Sequence, residues 1–404
     1  MTQAISVRAI RPAESRLIAA VCAAHMMSHY YMLLLAPLFV FVRADFKVSY
    51  TELALAITVF NVVSGLLQTP VGYLVDRVGA RIVLIVGLGV SSIAYAIAGL
   101  ADSYWVFIAM YALGGLGNTV FHPSDYTLLS QHAPKERLGQ VFAFHTFAGM
   151  VGSGIAPATL LFMQAYFGWR GAYVGAGIFG LVVLAVLISQ PEPKPEPHAG
   201  TAAAKTRSSV GSSWRLLMTA PILLNLGYFI LTSIMGGGLN TYLVVALHAL
   251  HATPVDVGNM ALTSLLAMNA VGVLIGGMLA ARTSRHAVVA ACGLAVGGVV
   301  TALVGLFDFQ SVGLILLMGF SGFCLGATYP SRDMLVRAVT PPGAYGLVFG
   351  FVSVGYNIGA SIAPIIYGAL MDNREPRAVF LLSAAVSIVC ISTVTCGFSK
   401  RQTV

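Results

Sequence analysis

The sequence predicts an all-α membrane protein of twelve transmembrane helices in two pseudo-symmetric six-helix bundles. Three observations predict it. Of 404 residues, 58% are hydrophobic and 9% charged, with a mean hydropathy of +0.86; soluble domains carry about 25% charged residues. The apolar residues fall in twelve runs, each near the ~20 residues that a helix needs to cross a bilayer. The second half of the chain also repeats features of the first.

The spans follow in order, separated by short turns with Gly, Pro or charge. In the first half they cover 17–42, 50–73, 81–100, 104–130, 138–164 and 170–189. In the second they cover 217–246, 257–280, 286–307, 311–338, 345–370 and 378–398. Between the halves lies "QPEPKPEPHAGTAAAKTRSSVGSSW", 190–214, the only long polar stretch. Its Pro, Ser, Ala and Lys content predicts a flexible cytoplasmic linker. The expected domains are therefore a bundle at 1–189, the linker at 190–214, and a second bundle at 215–404.

The repeat has a constant offset of 207. Pro123 matches Pro330, Ser124 matches Ser331, Pro134 matches Pro341, Gly139 matches Gly346, Phe142 matches Phe349, Gly152 matches Gly359 and Pro157 matches Pro364. Two homologous bundles facing each other are a known transporter layout, with a site near mid-membrane and access alternating by rocking.

Charge sets the orientation. The formal net charge is +8, which alone would also suit a nucleic-acid binder. With the N-terminus inside, however, 16 Lys and Arg lie in cytoplasmic segments and 5 lie outside, with Arg332 left within a span. The positive-inside rule then places both termini in the cytoplasm of a multi-pass inner-membrane protein. The excess charge reads as a topology signal, so no nucleic-acid partner is expected. The first apolar run is too long for a cleavable signal peptide. The five cysteines fall within spans without CxxC spacing and read as small apolar residues.

The loop after span 2 reads "GYLVDRVGAR", 72–81. Gly72 permits close helix approach, Gly79 a tight turn, and a carboxylate at Asp76 suits a helix N-terminus. This Gly-x-x-x-Asp-Arg-x-Gly pattern, followed by a basic residue, resembles the signature loop of the major facilitator superfamily. A decayed copy, "GMLAARTSR", starts at Gly277, with Ala281 in place of the acid. The resemblance implies that Gly72, Asp76, Arg77, Gly79 and Arg81 form a conformational gate. In the family, the Asp locks one access state by contacting the start of span 11. Arg77 and Arg81 are expected to pair locally; Ala80 stands where the family has a further Arg.

A narrower likeness lies in the first half. His25, "LLQTPVGYLVD" from Leu66, and Phe121-His122-Pro123 resemble the fosmidomycin-resistance branch of that superfamily. This chain departs from the branch twice. His29 stands where the branch has Asp, and Asp125 comes one place later than the branch's Glu, about 100° around a helix.

Polar residues inside the spans are the candidate binding set, because intramembrane ionisable groups are costly. His25 and His29, at i and i+4, share a helix face. Each ring either bonds a neighbouring helix or faces a wet cavity as a proton or substrate contact; His titrates near neutral pH. Met26 stands where a zinc protease's His-Glu-x-x-His needs its acid, so no metal site is expected. Asn118, His122 and Asp125 fall at i, i+4 and i+7, and Asp125 is the one acid well inside a first-half span. It is a candidate for proton coupling, or else a helix–helix hydrogen bond, and His145 stands ready to close the cluster.

In the second half, Tyr329, Arg332 and Asp333 occupy the matching place. Arg332 suits an anionic solute, or a structural lock with Asp333. Three glycines in "SIMGGGLNTY", 233–242, predict a weakened span 7, with Asn240 and Tyr242 lining an outer cavity. Gly149, Gly152, Gly154 and Pro157 resemble the superfamily's antiporter signature; small residues there also let helices pack closely.

The expected function is secondary active transport of a small organic solute, coupled to protons. Efflux by antiport comes first, by resemblance to the fosmidomycin-resistance branch. The alternative is uptake or exchange of a small organic anion. A non-transporting membrane receptor or enzyme is the reading outside this class. The sequence holds no GxxxxGK[ST] loop for ATP. No enzyme activity and no cofactor are expected; the partners are solute, protons and lipid, and the chain is expected to act as a monomer.

Overall fold

The computed structural model describes residues 11–134, 137–191, 215–341 and 345–398. The polar stretch at 192–214 lies outside the described residues, as do the side chains of Asp76 and Cys396. Among the described residues the regular elements are all helical.

Twelve spans are present. Eleven helical stretches are long and apolar enough to cross a membrane. One of them, within Leu138–Ser189, holds two spans joined at Gly168, whose φ of 67° is not helical. Glycine reaches that conformation without steric cost. Span 1 is less regular than the sequence suggests: helix Pro12–Met32, a 3-10 turn Ala36–Leu38, then helix Phe39–Phe46. Pro37 lacks an N–H and disfavours helix for the residue before it.

Span 4 also divides, into Tyr104–Asn118 and Phe121–His132. Pro123 cannot donate to the carbonyl of Thr119, which favours a break there. The matching Pro330 is accommodated inside the unbroken helix Ser311–Val339 of span 10. Span 2 is Tyr50–Val78 and span 3 is Ala80–Leu100. In the second half, span 7 is Ala220–His251, span 8 Val255–Arg282, span 9 His286–Leu306, span 11 Tyr345–Asp372 and span 12 Pro376–Phe398.

The expected weakness of span 7 is absent. Gly236, Gly237 and Gly238 lie within one continuous helix. A Cβ on Gly238 would strike the Tyr367 ring, and one on Gly237 would crowd Ala363. Gly237 and Gly238 therefore admit span 11, and the triplet does not break span 7.

Contacts divide the chain into two compact units. Unit 1 comprises 1–32, 63–153 and 163–205; unit 2 comprises 33–62, 154–162 and 206–404. In unit 1, span 3 packs on both helices of span 4, and helix Pro12–Met32 packs on Phe121–His132. In unit 2, span 8 pairs with span 10, span 7 lies against spans 11 and 12, and span 9 joins spans 10 and 12.

The span 8–span 10 crossing is set by glycine. Added Cβ atoms at Gly272 and Gly276 would meet the carbonyls of Phe323 and Ala327, and at Gly322 and Gly326 those of Leu265 and Asn269. Lipid chains are as apolar as Leu, so such close backbone packing replaces the hydrophobic effect as the force between helices.

Candidate functional site

In unit 1 the fold closes a cluster around Asp125. Helix Pro12–Met32 brings His25, Phe121–His132 brings Asp125, and Leu138–Ser189 brings His145. His145 Nε2 is 3.0 Å from Asp125 Oδ2. His25 Nδ1 is 3.2 Å from the same oxygen, close enough to pair as an ion but without hydrogen-bond alignment. The two rings stack with centroids 3.6 Å apart and planes 25° from parallel. All three side chains are at most 3% exposed. Asp125 Oδ1 and His145 Nδ1 find no hydrogen-bond partner among the described residues.

An isolated carboxylate at membrane depth costs about 3 kcal/mol or more. His145 offsets part of that cost through its hydrogen bond to Oδ2, and His25 stands close enough to the same oxygen to add electrostatic support. The ligand-type atoms of the trio lie within 4.8 Å of one another, close enough to share a proton or an ion.

Around the trio the site opens. His29 packs edge-on against His25 at 4.8 Å, and its Nδ1 is 3.4 Å from Ser153 Oγ. His122 stands 5.5 Å from His25 and 6.1 Å from the Tyr126 ring. Burial decreases outward, from the trio through half-buried His29 to exposed His122 and Tyr126. Gly149 makes the approach possible, since a Cβ there would press on His29 and His25 at 2.8–3.0 Å. A Cβ on Gly152 would strike the Met26 carbonyl. In both cases the small residues of span 5 admit span 1.

Asn118, His122 and Asp125 all stand beside helix Pro12–Met32, Asn118 reaching Ser28, and His122 and Asp125 lying next to His25. Asn118 sits in its own polar cluster, accepting from Ser28 Oγ at 2.7 Å and donating to Ser64 Oγ at 3.0 Å. His122 is exposed and Asp125 is fully buried. Ser28, Ser64, Tyr126 and Ser153 were not singled out in the sequence, because lone hydroxyls in apolar spans carry no spacing signal.

The unit 2 residues form a separate group. Arg332 bonds Asp333 through Nε at 3.0 Å and Nη2 at 2.9 Å. Its guanidinium lies over the Phe229 ring at 4.4 Å and the Tyr329 ring at 4.9 Å. Asn240 is half-buried on span 7. Tyr242 is fully buried and donates to the Pro364 carbonyl at 2.7 Å.

The loop at 72–81 behaves only partly as expected. Gly79 has φ 100°, the turn its identity predicts. A Cβ on Gly72 would meet nothing within 4 Å among the described residues. Arg77 is exposed. Arg81 also caps span 6, bonding the carbonyls of Leu187, Ile188 and Gln190. A cation there satisfies orphan carbonyls and opposes the negative helix end. Arg81→Ala is expected to lower the thermal midpoint of the purified protein by a few degrees, for a loss of about 1–2 kcal/mol. An unchanged midpoint in a melting scan would remove that cap from the stability of unit 1.

Twelve spans, a repeated half and buried polar side chains at membrane depth define a multi-span transporter. The model of the Major Facilitator Superfamily matches residues 21–248 and 229–402. The chain belongs to this family, and it is a multi-pass membrane transporter of small solutes. It is 22% identical to the fosmidomycin resistance protein of Escherichia coli strain K12, over 94% of this chain and 92% of that one. It is 26% identical to the probable L-galactonate transporter of the same strain, over only 35% of this chain and 31% of that protein. Among solved structures, a bacterial homolog of the human lysosomal transporter Spinster superposes with a TM-score of 0.80. That match covers 97% and 98% of the two chains at 14% identity.

Proposed function

We propose that the protein is a secondary active transporter of the cytoplasmic (inner) membrane, exporting a small organic solute in exchange for protons. The buried trio of Asp125, His25 and His145 carries this reading. A carboxylate with one bonded oxygen and one free oxygen, between two rings that each give or take a proton, is a proton relay in miniature. The step from the trio to exposed His122 and Tyr126 gives that proton a way in, and His29 and Ser153 line the same approach. Both termini lie in the cytoplasm, on the count of Lys and Arg, and one chain suffices. Export is supported by the likeness to the fosmidomycin resistance protein, which spans almost the whole of both chains.

A second reading, uptake or exchange of a small organic anion, draws on Arg332. It is also supported by a 23% identical relative, the probable sulfoacetate transporter of Cupriavidus necator, matched over 87% of this chain. Against it, Arg332 already pairs with Asp333, which leaves less of its charge for a solute.

The test is reconstitution into vesicles holding a pH-sensitive dye, with phosphonate drugs, cationic drugs and small organic acids added in turn. Proton movement triggered by drugs is the expected result. Movement triggered only by organic acids would favour the second reading, and silence across the panel with folded protein would overturn proton coupling.

A further inference from the structure

The start of span 2 is capped in an unusual way. Its first residues read Ser49-Tyr50-Thr51-Glu52. Ser49 and Glu52 form a capping box: Glu52 N–H donates to Ser49 Oγ at 3.0 Å, and Ser49 N–H to Glu52 Oε2 at 2.6 Å. A capping box leaves the first two helical N–H groups, here Tyr50 and Thr51, without acceptors. Asp372, at the far end of span 11 and more than 300 residues away in sequence, supplies both. Tyr50 N–H donates to Asp372 Oδ1 at 2.7 Å and Thr51 N–H to Oδ2 at 2.9 Å.

A second contact follows the same two helices inward. Pro364 has no N–H, so the carbonyl of Ala360, four residues earlier, lacks its helical donor. Asn61 of span 2 supplies one, Nδ2 donating at 3.1 Å. Thr58 Oγ1 donates to the neighbouring Ser361 carbonyl at 3.1 Å. Gly368 keeps the surfaces close, because a Cβ there would lie 3.0 Å from Thr51 Cα. Residues 33–62 come from the first half of the chain yet belong to unit 2.

We propose that Asp372 is the latch of an outer gate. Its carboxylate completes the cap of span 2 in trans, and so holds segment 50–62 on span 11 while the outer side is shut. The inference rests on the reading of the chain as an alternating transporter and adds a positioning residue to it. The latch is suited to release. Asp372 is exposed, and water can take over both N–H groups and both carboxylate oxygens when the helices part. The Ala360 carbonyl and Asn61, by contrast, register the inner stretch.

Hydrogen–deuterium exchange on the full-length protein in lipid nanodiscs tests this without any knowledge of the solute. In Asp372→Ala, peptides covering 50–62 and 360–372 should exchange about five-fold faster, the scale of a lost helix cap. Peptides covering 80–100 should be unchanged. Asp372→Asn retains one acceptor oxygen and should fall between. Asp102→Ala, which removes an exposed acid of unit 1 paired with Arg170 at 3.6 Å, should leave 50–62 as in the parent. Unchanged exchange over 50–62 in Asp372→Ala, or equal acceleration across 80–100, would overturn the latch. Absence of proton-coupled transport in the parent protein, with the expected exchange pattern in Asp372→Ala, would count against the transport reading alone.

Discussion

Asp125→Asn is expected to abolish the response of transport to a pH gradient while leaving solute exchange in place. The substitution keeps the volume of the side chain, so the packing of His25 on His145 at 3.6 Å has no steric reason to change. What it removes is the group that two imidazoles address through one oxygen, at 3.0 and 3.2 Å. Without an acid there, proton binding and solute binding lose their common element. A coupling free energy of about 1.4 kcal/mol or more then disappears, a tenfold or greater fall in the gradient-driven rate. Counterflow of labelled solute, which needs no net proton movement, should proceed at near the parent rate. A normal gradient-driven rate in Asp125→Asn would exclude this carboxylate from coupling; loss of counterflow as well would make it part of the solute site.

The second large effect concerns folding. Gly322→Val would place side-chain carbon against the Leu265 carbonyl, and Gly326→Val against that of Asn269. Neither obstacle is a flexible side-chain tip that can swing away. Overpacking of this kind costs about 3 kcal/mol, and where the two backbones are in direct contact the added carbon has no room to be absorbed. Both variants should give little monodisperse protein on size-exclusion chromatography, with a thermal midpoint several degrees below the parent. Gly227→Ala is the control, since a Cβ at Gly227 meets nothing within 4 Å. Folded Gly322→Val of parental stability would mean that spans 8 and 10 do not hold unit 2 together.

Much of the fold was legible because lipid permits few solutions. Twenty-residue apolar runs can only be helices at that depth, and the repeat at offset 207 declared two halves. The interruptions were harder to see. Pro37 and Pro123 both stand at helix breaks, whereas Pro330 and Pro364 lie inside unbroken helices; at Pro364 the freed Ala360 carbonyl finds a donor in Asn61. The glycine triplet of span 7 was misread for a related reason. Helix propensity counts Gly as a weakness, but Tyr367 stands where a side chain would be.

The site followed the same division. His25, Asp125 and His145 were legible because ionisable groups inside spans are rare. The break between Asn118 and Phe121 was not legible, since the sequence reading assumed one unbroken helix. The partners of Arg81 were illegible, since carbonyls at a helix end leave no trace in residue identity. The same holds for Asp372, whose partners are two backbone N–H groups.

Asp125 and Arg332 occupy matching places in the repeat, yet one is enclosed by histidines and the other lies between aromatic rings beside its own counter-ion. A duplicated scaffold has thus been divided in labour. One copy holds a charge that a proton can cancel, and the other a charge whose partner is built into the chain. Under the proposed coupling, the two halves therefore meet a pH gradient unequally at these matched positions: the first offers a buried carboxylate between two imidazoles, the second a guanidinium already paired with Asp333.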